Sequence, residues 1–259
     1  MRTEPLKKFI CAILPPAFWL GAWQLAAFLV EQWVDGHGNE LLLPYPASVG
    51  TALVRLCGSS VFWVTAAASL LRILTGMVCG TAAGALLAGL TCASKWADRL
   101  ISPAIRVIRA TPVVSFILLI LLWTDRNAVP AIVSGLMVLP VVWSNLSRGI
   151  RETDPQLLEM ARAYRFSRWK TLRLIYLPSL KPYFLSAATT AMGLSWKSGV
   201  AAEVLCLPKL AVGTQIYNHK LVLEIPDFFA WTAVVVALSL VLEHLLRRGL
   251  SRWKGGVPQ

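Results

Sequence analysis

Charge is the first thing this chain has little of. Only 15% of its 259 residues are Asp, Glu, Lys or Arg, and just 13 of them are acids. A soluble domain carries about 25% charged residues, so an ordinary soluble globular protein is excluded. Paired cysteines are missing too. Cys11, Cys57, Cys79, Cys92 and Cys206 are scattered without a C-x-x-C pair. That leaves neither a disulfide framework nor a zinc site, and the five read as small apolar packing residues. Histidine is scarce: His37, His219 and His244 fall in loops or at a helix end. The acids lie near the ends of apolar runs. Nothing converges into the polar cluster that an enzyme embedded in a membrane needs. No low-complexity linker, second domain or internal repeat interrupts the pattern.

What is present in quantity is apolar. Hydrophobic residues make up 56% of the chain, with mean hydropathy +0.62. A membrane helix needs roughly 20 apolar residues, and six candidate spans emerge, at about 9–30, 61–90, 103–123, 129–146, 182–204 and 228–246. The expected fold is therefore all-α and polytopic, one transmembrane domain over 1–259. Arg2, Lys7 and Lys8 precede the first run, as in a signal peptide. That run exceeds the ~7–15 residue core of a signal and no cleavage pattern follows, so an uncleaved first helix is expected. The net charge of +12 would suggest nucleic acid in a soluble chain; here it reads as basic cytoplasmic loops, with no nucleic-acid partner. With the N-terminus inside, the inner segments hold 17 Lys and Arg, and the outer loops hold only Arg55, Arg126, Lys209 and Lys220. The positive-inside rule then places both termini and residues 148–181 in the cytoplasm. Short helices are expected in both long outer loops, at 47–56 and within 205–227.

Small and charged residues punctuate the spans. Gly76, Gly80 and Gly84 recur every four residues in the second run, with Ala88 one step further. They share one helix face and let another backbone approach closely, either within one subunit or across a dimer. Arg72, Arg106, Arg109 and Lys197 fall inside apolar runs. Such residues usually face the protein interior or water. Arg106 and Arg109, read as the first two turns of the third span, are expected to snorkel to the cytoplasmic side. Arg72 and Lys197 have no acid at comparable depth, since Glu203 only follows at the outer end of the fifth span. Two unmatched cations suit an anionic solute, so Arg72, Lys197 and the adjacent Trp196 are candidate pathway residues. The alternative is that Arg72 bonds helix carbonyls while Lys197 reaches Glu203 or snorkels outward.

The segment "TDPQLLEMARAYRFSRWKTLRLIYLP" is too polar to span and too apolar to be a mere loop. Asp154 can cap a helix with Pro155 in its first position, and Glu159 near that end suits the helix dipole. Leu157, Ala161 and Tyr164 share a face by their i, i+4, i+7 spacing. Ser167 can cap a second short helix, Arg168–Tyr176, and Pro178 and Pro182 then lead into the fifth span. A basic helix lying on anionic headgroups is one reading. The narrow face of Leu157, Ala161 and Tyr164 favours a protein partner.

This segment resembles the EAA loop of binding-protein-dependent ABC importer permeases, roughly E-A-A-x-x-x-G, nine variable residues, then I-x-L-P. Glu159, Ala161, Ile175, Leu177 and Pro178 match, Met160 replaces the first alanine, and Arg165 stands where the pattern has glycine. "LLLPYPASV", "SLLRILTGMVCGTAAGALLAGL", "DRLISPAIRVIRATPVVSF" and "WKSGVAAEVL" resemble the nitrate/sulfonate/taurine-type branch. The resemblance implies a permease subunit of the bacterial inner membrane, with the type I importer fold. It implies a second copy of the chain, a cytoplasmic ABC ATPase dimer and an extracytoplasmic substrate-binding protein as partners. Glu159, Ala161, Tyr164, Arg165, Ser167 and Pro178 are then the ATPase-coupling residues. No G-x-x-x-x-G-K-[ST] phosphate loop occurs, and "WKSG" at 196–199 has Trp196 where the loop has glycine. The chain is thus expected to be no enzyme and to hold no cofactor, with ATP and magnesium bound by the partner. A self-contained channel or secondary transporter is the competing function, and would not need the insert. At Arg165, either the first helix runs on, or the turn moves to Phe166–Ser167, or the side chain meets an acid on the ATPase.

Overall fold

Every regular element among the described residues, 3–35 and 40–254 of a computed structural model, is helical. Arg2 and His37 lie outside those residues, as do the side chains of Lys7, Lys8, Cys11, Arg252 and Lys254. Helix α1 (Thr3–Val30) ends in a wide turn, Glu31–Asp35. A short helix α2 (Pro46–Cys57) opens on Pro46, where the missing N–H costs nothing. It leads into α3 (Ser60–Ala93), the longest element.

The third expected span is not one helix. Helix α4 runs Lys95–Ala110, begins on a Ser94 hydroxyl that accepts from the Ala97 N–H, and carries Pro103 within it. Helix α5 (Val113–Leu121) leaves it at 104°. Pro112 is the cause. A residue before proline is pushed out of the helical region, and Thr111 sits at φ −79, ψ 132. Arg106 and Arg109 therefore lie in the last two turns of α4, not the first two turns of a straight span.

Helices α6 (Val129–Arg151), α9 (Leu177–Cys206) and α11 (Ile225–Lys254) complete the long elements. Three stretches among the described residues are long and apolar enough to cross a membrane: α3, α6 and Ile225–Gly249 of α11. The bent α4–α5 pair makes a fourth if it counts as one broken span.

Helices α3, α6 and α9 form the centre. Ala88, Val138, Val142, Leu146, Ala187 and Ala191 make one buried cluster between them. The contact of α3 with α6 is backbone on backbone. A Cβ added to Gly76 would lie 2.0 Å from the Ala131 carbonyl oxygen, one on Gly80 2.3 Å from that of Gly135, and one on Gly84 2.7 Å from that of Leu139. The glycine face is thus used inside one chain, against a matching four-residue register on α6. Ser134 clasps the same seam, donating to the Ile73 carbonyl at 3.0 Å and meeting the Ser195 hydroxyl of α9 at 2.6 Å.

At one end of the bundle α6 gives way to a hairpin of α7 (Pro155–Ala163) and α8 (Arg168–Thr171). At the other end lies α10 (Val212–Leu221), where Val212 packs with Phe62, Trp231 and Val234.

Candidate functional site

The hairpin is built from its caps. Asp154 accepts from the Gln156 N–H at 2.8 Å and Ser167 from the Lys170 N–H at 3.3 Å. Between them α7 closes in a Schellman turn: the Phe166 N–H bonds the Ala161 carbonyl at 2.8 Å and the Arg165 N–H bonds that of Arg162 at 3.0 Å. The geometry requires a left-handed residue at 165, and Arg165 adopts φ 50. So the helix neither runs on through Arg165 nor shifts its turn to Phe166–Ser167. The turn stays where the family pattern has glycine, and arginine bears the strain.

Two further expectations are corrected here. Ala161 does not share an exposed face with Leu157 and Tyr164; it is 4% exposed, and its carbonyl accepts the Phe166 N–H. The exposed apolar stripe is instead Leu157, Met160 and Tyr164, the tyrosine 73% exposed, an i, i+3, i+7 set on one face. Nor is Arg168–Tyr176 a separate short helix. α8 passes through one wide turn, Leu172–Tyr176, straight into α9. Pro178 lacks the N–H that an α-turn would use, and the widened turn directly precedes it. The hairpin's second arm and the longest part of α9 are therefore one rod.

The hairpin surface is cationic and aromatic. Arg162, Arg165, Arg168, Lys170 and Arg173 are exposed, as is Glu159. Trp169 is 70% exposed, and Lys170 Nζ lies 4.1 Å from the Phe166 ring centre. Where α6 ends, the Tyr183 hydroxyl and Arg148 both bond Glu152, holding its carboxyl below the ordinary carboxylate range.

At the opposite end the expected absence of an acid near Arg72 is overturned. Arg72 Nη1 donates to Glu203 at 2.8 Å, and Nη2 donates to the Lys209 carbonyl at 3.1 Å. The second Glu203 oxygen accepts from the Ser69 hydroxyl at 2.9 Å and the Gly213 N–H at 3.1 Å. Ser69 in turn accepts from the Val212 N–H at 2.9 Å. Glu203 is fully buried. A buried carboxylate needs this saturation of charge and hydrogen bonds. The sequence did carry a signal: Thr65, Ser69 and Arg72 share a face of α3, and a polar stripe in an apolar helix demands a polar partner.

The three pathway candidates do not meet in one cavity. Arg72 belongs to the Glu203 network. Trp196 is 2% exposed and donates to the Val235 carbonyl at 3.1 Å; it borders a cleft of about 340 Å³ between α9 and α11 that exposed Lys197 also lines. A second cleft, of about 420 Å³, opens between α4, α6 and α9, with Arg109, Ser144, Asn145 and Thr190 on its walls. Thr190 and Leu194 line both.

Residues 80–252 match the family described as the binding-protein-dependent transport system inner membrane component. The chain is 29% identical over 265 residues to SsuC of Escherichia coli (strain K12), provisionally named as an aliphatic sulfonates transport permease protein; the match covers 97% of this chain and 95% of that one. It is 25% identical to the taurine transport system permease protein TauC of the same organism, over 85% and 82%. Among solved structures it resembles a bacterial ABC transporter involved in import of the acidic polysaccharide alginate, with TM-score 0.63, 17% identity and coverage of 96% and 97%. It also resembles the MetNI methionine ABC transporter, with TM-score 0.57, 20% identity and coverage of 81% and 98%. The family match covers more than half of the chain and includes Gly80 and Gly84 of the seam and the whole capped hairpin: this protein belongs to the binding-protein-dependent transport system inner membrane component family.

Proposed function

We propose that the chain is the permease subunit of an ATP-binding-cassette importer of the bacterial inner membrane. In this reading six segments cross the bilayer, the α4–α5 pair among them as a broken span, with both termini and the hairpin in the cytoplasm. Two copies form the pathway. A substrate-binding protein delivers the solute from outside, and a cytoplasmic ATPase dimer, which binds ATP and magnesium, drives it through. The named relatives support a small anion, such as a sulfonate, as the solute.

The observation that carries this reading is the hairpin itself. Its apolar stripe of Leu157, Met160 and Tyr164 is left uncovered among the described residues, and it is ringed by cations and an exposed tryptophan. Aromatic and Arg-rich patches of this kind are what protein partners bury. The continuity of α8 with α9 gives a mechanism. A push on the hairpin moves the rod that lines both clefts, so motion at the ATPase becomes motion in the pathway.

The test is co-purification. Leu157 and Tyr164 are exposed, so a Leu157→Ala, Tyr164→Ala variant should keep its thermal unfolding temperature in detergent. Retention of the ATPase co-expressed with it should fall at least tenfold, as for loss of a central interface aromatic worth about 2 kcal/mol. Undiminished retention, or solute uptake by the chain alone without ATP, would favour a self-contained channel or secondary transporter.

A further inference from the structure

We propose that Arg109 is the anion-selecting residue of the translocation path, placed there by the break between α4 and α5. This rests on the permease reading above and adds a residue that composition and spacing had assigned to the membrane surface.

The argument begins at Pro112. Pro112 disfavours a helical Thr111, which is extended here, and α4 stops at Ala110 with the chain turning through 104°. Arg109, in the last turn of α4, is thereby delivered to the cleft between α4, α6 and α9. Its guanidinium makes no hydrogen bond or ion pair among the described residues. That sets it apart from Arg55, Arg72 and Arg148, each bonded to a carboxylate. No carboxylate lines the cleft, whose remaining walls are Ser144, Asn145 and Thr190 among apolar side chains.

Each of these neutral groups already donates one hydrogen bond to a backbone carbonyl. Asn145 Nδ2 donates to the Val141 carbonyl at 2.8 Å, Ser144 to the same carbonyl at 3.1 Å, and Thr190 to that of Ser186 at 3.2 Å. Asn145 Nδ2 keeps a second N–H, but the charged donors of the cleft are those of Arg109. A guanidinium presents a rigid fork that matches two oxygens of a carboxylate or sulfonate, and it stays protonated at every relevant pH. Arg109 is itself exposed, and with no carboxylate beside it its charge makes the cleft attract small oxyanions and repel cations. Thr190 and Leu194 also line the adjoining cleft that holds Lys197. That cleft contains Glu243, but Arg247 bonds it at 2.6 Å. The two clefts thus share a stretch of α9, and in an importer with the hairpin inside an anion passes Lys197 before it reaches Arg109.

The experiment reads local charge independently of any substrate. In the permease–ATPase complex with the native cysteines replaced, Thr190→Cys and Asn145→Cys are each labelled with two methanethiosulfonates, one bearing a sulfonate and one a trimethylammonium group. With Arg109 present, the anionic reagent should react faster relative to the cationic one, and Arg109→Gln should lower that ratio about tenfold. Arg109→Lys, which keeps the charge, should restore most of it. An unchanged ratio in Arg109→Gln, or no labelling by either reagent at both positions, overturns the proposal.

The second arm uses reconstituted complex, binding protein and labelled ethanesulfonate or taurine. Uptake should show a raised KM in Arg109→Gln while the variant still co-purifies with the ATPase. An unchanged KM overturns the role of Arg109. Absence of ATP-dependent anion uptake by the unsubstituted complex would instead sink the permease reading for this solute class, a different result from an unchanged labelling ratio.

Discussion

Arg165 occupies a backbone conformation that glycine adopts freely and other L-residues adopt at a cost of about 1–2 kcal/mol. Its φ of 50 is imposed by the two bonds that close α7. Arg165→Gly should therefore stabilise the protein, by about 1 kcal/mol or less once glycine's extra freedom in the unfolded chain is set against the relief of strain. Thermal unfolding in detergent checks this. A lower unfolding temperature for Arg165→Gly would mean that the arginine side chain makes contacts outweighing its strain. Arg165→Ala, which keeps the strain, should not stabilise. At this scale the sequence exposed a conflict without resolving it. Arginine at a glycine position marked the place, but only the hydrogen bonds from residues 165 and 166 decided that the turn stays and the residue yields.

At the scale of elements, the seam between α3 and α6 was the most legible feature. Four-residue spacing of Gly76, Gly80 and Gly84 puts them on one face, whatever the rest of the fold does. What the spacing left open was the partner, because a helix face does not encode which helix will cover it. The carbonyl oxygens of Ala131, Gly135 and Leu139 answer that. Gly80→Ala should separate the two helices, since the new methyl would sit 2.3 Å from a backbone oxygen that cannot rotate away. The expected outcome is loss of most folded protein on size-exclusion chromatography. Gly89→Ala, on the same helix and with nothing within 4 Å of the added carbon, should behave as wild type or unfold slightly later through better helix propensity. Equal behaviour of the two variants would remove the seam as a structural constraint. The α4–α5 break was legible only in part. Pro112 was visible, yet the apolar run across it reads as one span, because hydropathy averages over a bend.

Over the whole molecule, the decisive contacts join residues far apart in sequence. The segment after α9 reverses through left-handed Leu207 and Leu210. The start of α10 then folds over Glu203, whose carboxylate binds Arg72, Ser69 and the Gly213 N–H. One buried charge thus ties α3, α9 and α10 at the end opposite the hairpin, and α9 connects the two. Arg72→Met alone leaves Glu203 buried without its cation and should cost about 3–5 kcal/mol. Replacing both residues by methionine should recover a substantial part of that loss, because two apolar side chains need no compensation. Thermal unfolding of the two single variants and the double variant measures the coupling. Strictly additive losses would show that the pair does not act as a unit.

Composition and periodicity alone determined that this chain is helical and built for a bilayer, where its capped basic hairpin lies, and which face of α3 is made for close contact. These follow from local rules: hydrophobic length, helical repeat and cap chemistry act within a few residues. Tertiary structure alone decided that Arg72 has an acid, that Ala161 faces inward, that α8 and α9 are one rod, and that Arg109 reaches a cleft. The reason is physical. Pairing of charges and exposure of a side chain depend on which distant segment folds over it, and neither a helix's own sequence nor its depth along the span carries that information.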